Sequence, residues 1–261
     1  MSTEPTPRTF DLGGELTVDR LGFGAMRLTG QPGNFGPYDD WRGGLDLLRR
    51  AAELGVEFFD SARSYGPLWA DRLVGEAFAE SSHRVVLATK GGIDKPAPGQ
   101  IVVDGSPATL ARQVDEALTS LRVERIDLFQ LHRVDPATPI EDSVGALDAA
   151  RRAGKIRLIG LSNVDREQLD RALAVAPIAS VQNRFNQAEQ AQSDLVDYTA
   201  DHGIAFIPYG PLGAHPMRQG ATLPPREALA WLLRRAPNVL VIPGTTSIAH
   251  LEENVSAWEL V

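Results

Sequence analysis

The sequence predicts a (β/α)8 barrel, the TIM-barrel class of α/β fold, with an N-terminal β-hairpin closing its bottom. Three observations carry this. Eight short apolar runs recur along the 261 residues. Segments with the 3.6-residue period of an amphipathic helix lie between them. Gly55, Gly154 and Gly203 each stand between a helical segment and the next apolar run, where a left-handed cap ends a helix. Strand–helix alternation implies parallel strands with right-handed crossovers.

The elements follow in order. Phe10-Asp11-Leu12 and Glu15-Leu16-Thr17-Val18 alternate around Gly13-Gly14 and read as a hairpin with a glycine turn. The apolar runs lie at 21–23, 58–60, 85–90, 126–132, 156–162, 180–183, 204–209 and 239–243. They are near-continuous rather than alternating, as expected of strands covered on both faces. Leu45, Leu47, Leu48, Ala51, Ala52 and Leu54 form one helical face, and Leu110, Val114, Ala117, Leu118 and Leu121 another. Val144, Leu147 and Ala150 continue the pattern, as do Leu169, Ala172 and Leu173. A doubly wound open sheet is the alternative, but Gly22-Phe23-Gly24-Ala25-Met26 matches only part of the glycine fingerprint that such a sheet would carry. No repeat, low-complexity block or linker divides the chain, so residues 1–261 read as one barrel domain.

Composition removes several function classes. The net charge of -8 argues against nucleic acid or an anionic membrane as partner. The absence of cysteine excludes disulfides, thiolate catalysis and cysteine metal sites. Of five histidines only His132 ends an apolar run, so no metal centre is expected. Residues 1–8 are polar and no stretch approaches the ~20 apolar residues of a bilayer span, which makes the cytoplasm the expected compartment.

Parallel barrels carry their chemistry at the carboxyl ends of strands. There the sequence offers Asp60, Lys90 and His132, each ending a run, with Tyr65 five residues past the first. Singly each has a bland explanation, such as a solvated lysine or a packed histidine. Jointly they suit carbonyl reduction. Tyr65 would give the proton, Lys90 would ease its release, Asp60 would hold Lys90 charged, and His132 would position the carbonyl oxygen or share in the proton relay. No side chain donates hydride, so a cofactor must. Ser162, Asn163 and Gln182 offer donors and acceptors for a nicotinamide carboxamide, and Tyr209 a flat ring to stack on it. Gly244-Thr245-Thr246-Ser247 opens the last helix and suits a phosphate. Met26, Arg27, Phe35, Trp69, Arg133 and Phe185 are candidate substrate walls, with Trp69 equally readable as helix packing.

At these residues the chain resembles the aldo-keto reductases. The likeness rests on Phe-Phe-Asp-Ser-Ala-Arg-Ser-Tyr-Gly at 58–66, Leu-Ala-Thr-Lys-Gly-Gly at 87–92 and Ile-Asp-Leu-Phe-Gln-Leu-His at 126–132. It continues through Gly-Lys-Ile-Arg-Leu-Ile-Gly-Leu-Ser-Asn at 154–163, Val-Gln-Asn-Arg-Phe-Asn at 181–186, Tyr-Gly-Pro-Leu-Gly at 209–213 and Ile-Pro-Gly-Thr-Thr-Ser at 242–247. The resemblance implies a barrel, a bound NADPH and a catalytic tetrad of Tyr65, Lys90, Asp60 and His132. It also implies cofactor contacts from Gly24, Ala25, Met26, Gly210, Pro211, Leu212, Glu253 and Asn254. Gly24-Ala25-Met26-Arg27-Leu28 and Phe35-Gly36-Pro37 are similar to a bacterial branch acting on small aldehydes, pyridoxal-type reductases among them.

Departures from the pattern carry expectations of their own. Ser61 replaces the family's usual Thr. Gly244 and His250 stand where many members place a Lys and an Arg against the 2′-phosphate, so NADH is possible beside NADPH. Val261 follows soon after the last helix and the 212–225 loop is short, which predicts an open, shallow substrate site. A cofactor-binding regulatory subunit of the same fold, with little turnover, is the alternative to a reductase of aldehydes or ketones. Neither nucleic acid nor membrane is expected as partner, and the sequence is silent on oligomeric state.

Overall fold

The computed structural model describes residues 6–211 and 223–261. It opens with an antiparallel hairpin of β1 (Thr9–Leu12) and β2 (Leu16–Asp19). Strands β3 (Phe23–Gly24), β4 (Phe58–Asp60) and β5 (Val86–Gly91) follow, then a small antiparallel pair, β6 (Ile93–Asp94) and β7 (Val102–Val103). Next come β8 (Ile126–Leu131), β9 (Ile156–Ser162), β10 (Ser180–Gln182) and β11 (Ala205–Phe206). Apart from the two hairpins, these strands form one sheet in chain order, and every neighbouring pair is parallel.

The eighth run closes the circle without forming a full strand. Val239 bridges Phe206 on one side and Val241 bridges Leu21 on the other, both parallel. Backbone bonds from Gly22 N to Val241 O (2.8 Å) and from Leu240 N to Phe206 O (2.9 Å) complete the barrel. Pro237 and Pro243 flank this run and have no N–H to give, which limits its ladder to single bridges. Pro208 shortens β11 in the same way. Arg20 pins the closure. It is fully buried and donates Nε to Val239 O (2.9 Å), Nη1 to Pro7 O, and Nη2 to Leu233 O and Ala236 O (each 2.6 Å).

Eight α-helices alternate with the strands among the described residues: α1 (Trp41–Glu53), α2 (Trp69–Phe78), α3 (Pro107–Leu121), α4 (Ile140–Arg152), α5 (Arg166–Leu173), α6 (Ser193–Asp201), α7 (Pro225–Arg235) and α8 (Ile248–Val255). Their starts follow local chemistry. Asp40 caps α1, Ser106 caps α3 ahead of Pro107, Asp165 and Gln168 form a capping box on α5, and Ser247 caps α8. Gly55, Gly154 and Gly203 take positive φ at the helix ends, as their positions predict. No helix is long and apolar enough to cross a membrane among the described residues.

Strand alternation sorts the side chains into two layers. Phe59, Leu87, Phe129, Ile159 and Val181 point outward and pack with the helices. Phe58, Val86, Ala88, Leu128 and Leu158 form a second, inner cluster with Ala205, Ile207 and Leu240. Leu12, Leu16 and Val18 of the hairpin join that inner cluster, so the hairpin plugs one mouth with apolar side chains. Each such burial contributes about 1.5–3 kcal/mol. The same alternation sets Asp60 above Phe58, Lys90 above Ala88 and Gln130 above Leu128. The inner layer is therefore apolar below and polar at the carboxyl ends.

Candidate active site

Asp60 and Lys90 meet inside the barrel. Lys90 Nζ donates to Asp60 Oδ2 at 2.6 Å and to the Ser61 carbonyl at 2.7 Å, with both side chains almost wholly buried. The other carboxylate oxygen, Oδ1, accepts from Gln130 Nε2 (3.1 Å) and Gln182 Nε2 (3.0 Å). Burial alone would depress the Lys90 pKa, but Asp60 and Tyr65 outweigh it and hold the ammonium above its usual value. The pair is thus a buried, hydrogen-bonded ionic base to the site.

Tyr65 lies in the turn after β4, where its backbone N–H bonds Ala62 O at 2.9 Å. Lys90 Nζ sits 5.2 Å from the centre of its ring. In the structure burial acts first and raises the phenol pKa; the Lys90 ammonium lowers it, the direction the sequence predicts, and the net shift is upward. Tyr65 therefore keeps its proton at neutral pH, the state a donor needs. His132 stands edge-on to it, with ring centres 6.0 Å apart and planes at 84°. Burial, then the charges of Lys90 and Arg133, push His132 well below its ordinary pKa, so the ring is neutral. Its Nδ1 lies 3.4 Å from Ser64 Oγ.

A cavity of about 540 Å³ opens over these groups, within the usual range for small-molecule sites. Asp60, Tyr65 and His132 reach it, as do Gly24, Met26, Ser162, Asn163, Gln182, Tyr209, Gly210, Pro211 and Gly244. The amides are already engaged. Asn163 gives Nδ2 to His132 O (3.0 Å) and Ser162 Oγ (3.0 Å), and its Oδ1 accepts from Tyr209 OH at 2.8 Å. Ser162 Oγ donates to Gln182 O at 2.8 Å. Gln182 Oε1 and the second lone pair of Asn163 Oδ1 are what remain for a ligand amide. The network fixes this wall before anything binds.

The eighth strand's turn meets the first strand backbone to backbone. A Cβ on Gly244 would fall 2.6 Å from Gly24 O, and one on Gly24 would fall 2.7 Å from Ile242 O. Neither position admits a side chain. The lysine expected of this position elsewhere would need the space that Gly24 fills. Arg27 runs past instead, its Cγ 3.9 Å from where that Cβ would be, and its side chain lines the cavity. The pair of glycines leaves a flat backbone cradle of the kind a phosphate uses.

Other predicted residues fall beside the cavity rather than on it. Ala25 is buried in the core and Thr246 is exposed. Thr245 Oγ1 accepts from Ser247 N at 3.1 Å, and Ser247 Oγ caps His250 N at 3.5 Å. His250 and Glu253 are exposed on α8 and Asn254 is buried. Leu212 and most of the 212–225 loop lie outside the described residues. Among the expected substrate walls, Met26, Arg27 and Arg133 line the cavity. Phe185 does not: it is fully buried and stacks on Trp231 of α7 at 5.8 Å. Trp69 packs edge-on to Trp41 at 5.9 Å, and Phe35 bridges Gly66 in the Tyr65 turn. Gln130, Ser64 and Arg184 went unnoticed in the sequence. The inward parity of Gln130 with Leu128 is the signal that could have found it.

The chain resembles known proteins along most of its length. The model of the Aldo/keto reductase family matches residues 20–227. The chain is 38% identical over 268 residues to the pyridoxine 4-dehydrogenase of Escherichia coli, covering 97% of this chain and 93% of that one. It is 37% identical over 255 residues to an uncharacterized oxidoreductase of Schizosaccharomyces pombe, covering 94% and 83%. The glycerol dehydrogenase of Gluconobacter oxydans superposes with a TM-score of 0.85 at 25% identity, over 96% of this chain and 90% of that one. An aldo-keto reductase of Klebsiella pneumoniae in complex with NADPH gives 0.81 at 26% identity, over 97% and 90%. The barrel, the convergent strand ends and the length of this likeness make the chain an oxidoreductase of the aldo/keto reductase family.

Proposed function

We propose that the chain reduces an aldehyde or ketone to an alcohol with NADPH, and that Tyr65 gives the proton. The observation that carries this is the buried Lys90–Asp60 pair, at 2.6 Å, beneath a phenol that opens on the cavity. The donor set fits a nicotinamide dinucleotide. Gln182 and Asn163 present acceptors, Tyr209 presents a ring, and Gly24 with Gly244 gives a cradle that a Cβ would fill. The NADPH complex of the Klebsiella pneumoniae neighbour supports the same cofactor. When bound, it supplies the hydride.

The remaining steps belong to the chain. A hydroxyl of Ser64 that donates to His132 Nδ1 leaves the Nε2 hydrogen for the carbonyl oxygen. A neutral imidazole orients that oxygen without competing as an acid. Tyr65 then releases its proton to the developing alkoxide, and Lys90 stabilises the phenolate left behind. Asp60 keeps Lys90 charged and fixed, and Gln130 and Gln182 keep Asp60 in place. The cradle is assigned to the 2′-phosphate that NADPH alone carries, and Arg27 supplies the cation beside it, which favours NADPH over NADH. The test is NADPH oxidation with a panel of aldehydes by wild type and Tyr65→Phe. Turnover by the wild type that Tyr65→Phe loses, with NADPH affinity kept, supports the reading. Equal turnover by both removes Tyr65 from the donor role.

A further inference from the structure

We infer that Arg133 forms an anion subsite beside His132, so that the carbonyl compounds this chain prefers carry a carboxylate or phosphate near the reacting carbon. This rests on the reductase reading above and adds the charge of the substrate to it. The chain has 34 acidic and 26 basic residues, yet its cavity inverts that balance. Arg27, Arg133 and Arg184 line it, and its one carboxylate, Asp60, is neutralised by Lys90.

The three guanidinium groups are not equivalent. Arg184 is paired with Glu189. Arg27 passes over Gly244, at the cradle assigned to the cofactor's 2′-phosphate. Arg133 has neither a carboxylate nor a carbonyl partner among the described residues. It follows β8, the fourth strand of the barrel, whereas Gly244 follows the eighth. Those two strands face each other across an eight-stranded ring. A phosphate held at Gly244 therefore leaves Arg133 uncompensated. Its charge is close enough to His132 to depress that ring's pKa. A carbonyl oxygen held by His132 and Tyr65 would put groups a few bonds away within reach of this guanidinium. Its planar fork suits a carboxylate or a phosphate.

The experiment compares succinic semialdehyde with butanal, which share a chain length and differ in the anionic end. With NADPH saturating, wild type is expected to favour the anionic compound in kcat/KM by about tenfold or more, chiefly through KM. That preference should shrink as salt is added. Arg133→Gln should lower the ratio by about tenfold, and Arg133→Lys should restore part of it. Arg27→Gln is the control: it should weaken NADPH binding while the ratio stays. Equal use of both aldehydes by wild type, or a ratio unmoved in Arg133→Gln, overturns the subsite and leaves the reductase reading intact. No NADPH oxidation with either compound overturns the subsite, and none across the wider aldehyde panel overturns the reductase reading as well.

Discussion

Two arcs of the barrel mouth are built on different principles. From β4 to β8 the surface is made of side chains: Asp60, Tyr65, Lys90, Gln130 and His132 converge through hydrogen bonds and charge. From the eighth strand to β3 it is made of backbone: Gly24 and Gly244 approach so closely that no side chain fits. On the function proposed above, the first arc would hold what changes protonation or polarises a bond, and the second what is smooth and accepts an anion. The contrast shows that one site can be specified by residues present and by residues excluded, and each arc should fail in its own way.

The largest effect is expected at Tyr65. Tyr65→Phe should lower kcat by about a hundredfold to ten-thousandfold, the range for a lost general acid, while fluorescence titration with NADPH shows unchanged affinity. Lys90→Met should break the first arc in a second sense. It strands the Asp60 carboxylate in the interior, so urea denaturation should report a loss of about 3–5 kcal/mol beside lost turnover.

Asp71 sharpens the comparison, because it backs the first arc from outside the barrel. It is fully buried and accepts from Thr89 Oγ1 at 3.0 Å, next to Lys90 in the chain. Burial raises its pKa from 3.8 to about 6. Between those values the native state holds more proton than the unfolded chain. Stability therefore falls as pH rises through that window and stays reduced above it. Asp71→Asn should remove a cost of order 3 kcal/mol at neutral pH. Denaturation midpoints of variant and wild type should converge toward the acid end of the window.

The second arc should respond more mildly. Gly244→Ala forces a contact of 2.6 Å with Gly24 O, at a cost of about 1–3 kcal/mol that appears chiefly as weaker NADPH binding. The smallest effect is expected from Arg27→Gln, since an exposed ion pair is worth about 0.2–1 kcal/mol. Its NADPH affinity should fall about two- to fivefold with NADH affinity unchanged, and the difference should fade with salt.

The first arc was legible in the sequence for a physical reason. A polar or ionisable group that ends a buried strand is costly unless it is partnered, so Asp60, Lys90 and His132 stand out against the apolar runs that precede them. Strand parity then sets Asp60 and Lys90 in one layer. Gln130 was missed because a single polar residue inside a run looks like an interruption. The meeting of Gly24 with Gly244 joins distant parts of the chain, and no local pattern records it. Phe185 reads as a wall, and Trp69 as either a wall or helix packing, because an aromatic near a strand end can turn either way; helix packing took both. The β6–β7 pair sits in a stretch rich in Gly and Pro whose alternation is too brief to register. The eighth run overstated its own ladder because its flanking prolines withhold donors.

Arg20 bonds Val239 O across 219 residues of chain, and this has a bearing on birth rather than on catalysis. At about 5–20 residues per second, a ribosome needs roughly 10–45 s to deliver the partner that Arg20 awaits. Throughout that interval the first strand has a neighbour on one flank alone, and a guanidinium destined for the interior faces solvent. The seam between the first and eighth strands of the barrel cannot form until residues near Val239 have been made. A nascent-chain pulse with staged truncations should find protease resistance arriving abruptly, once residues near Val241 have left the exit tunnel.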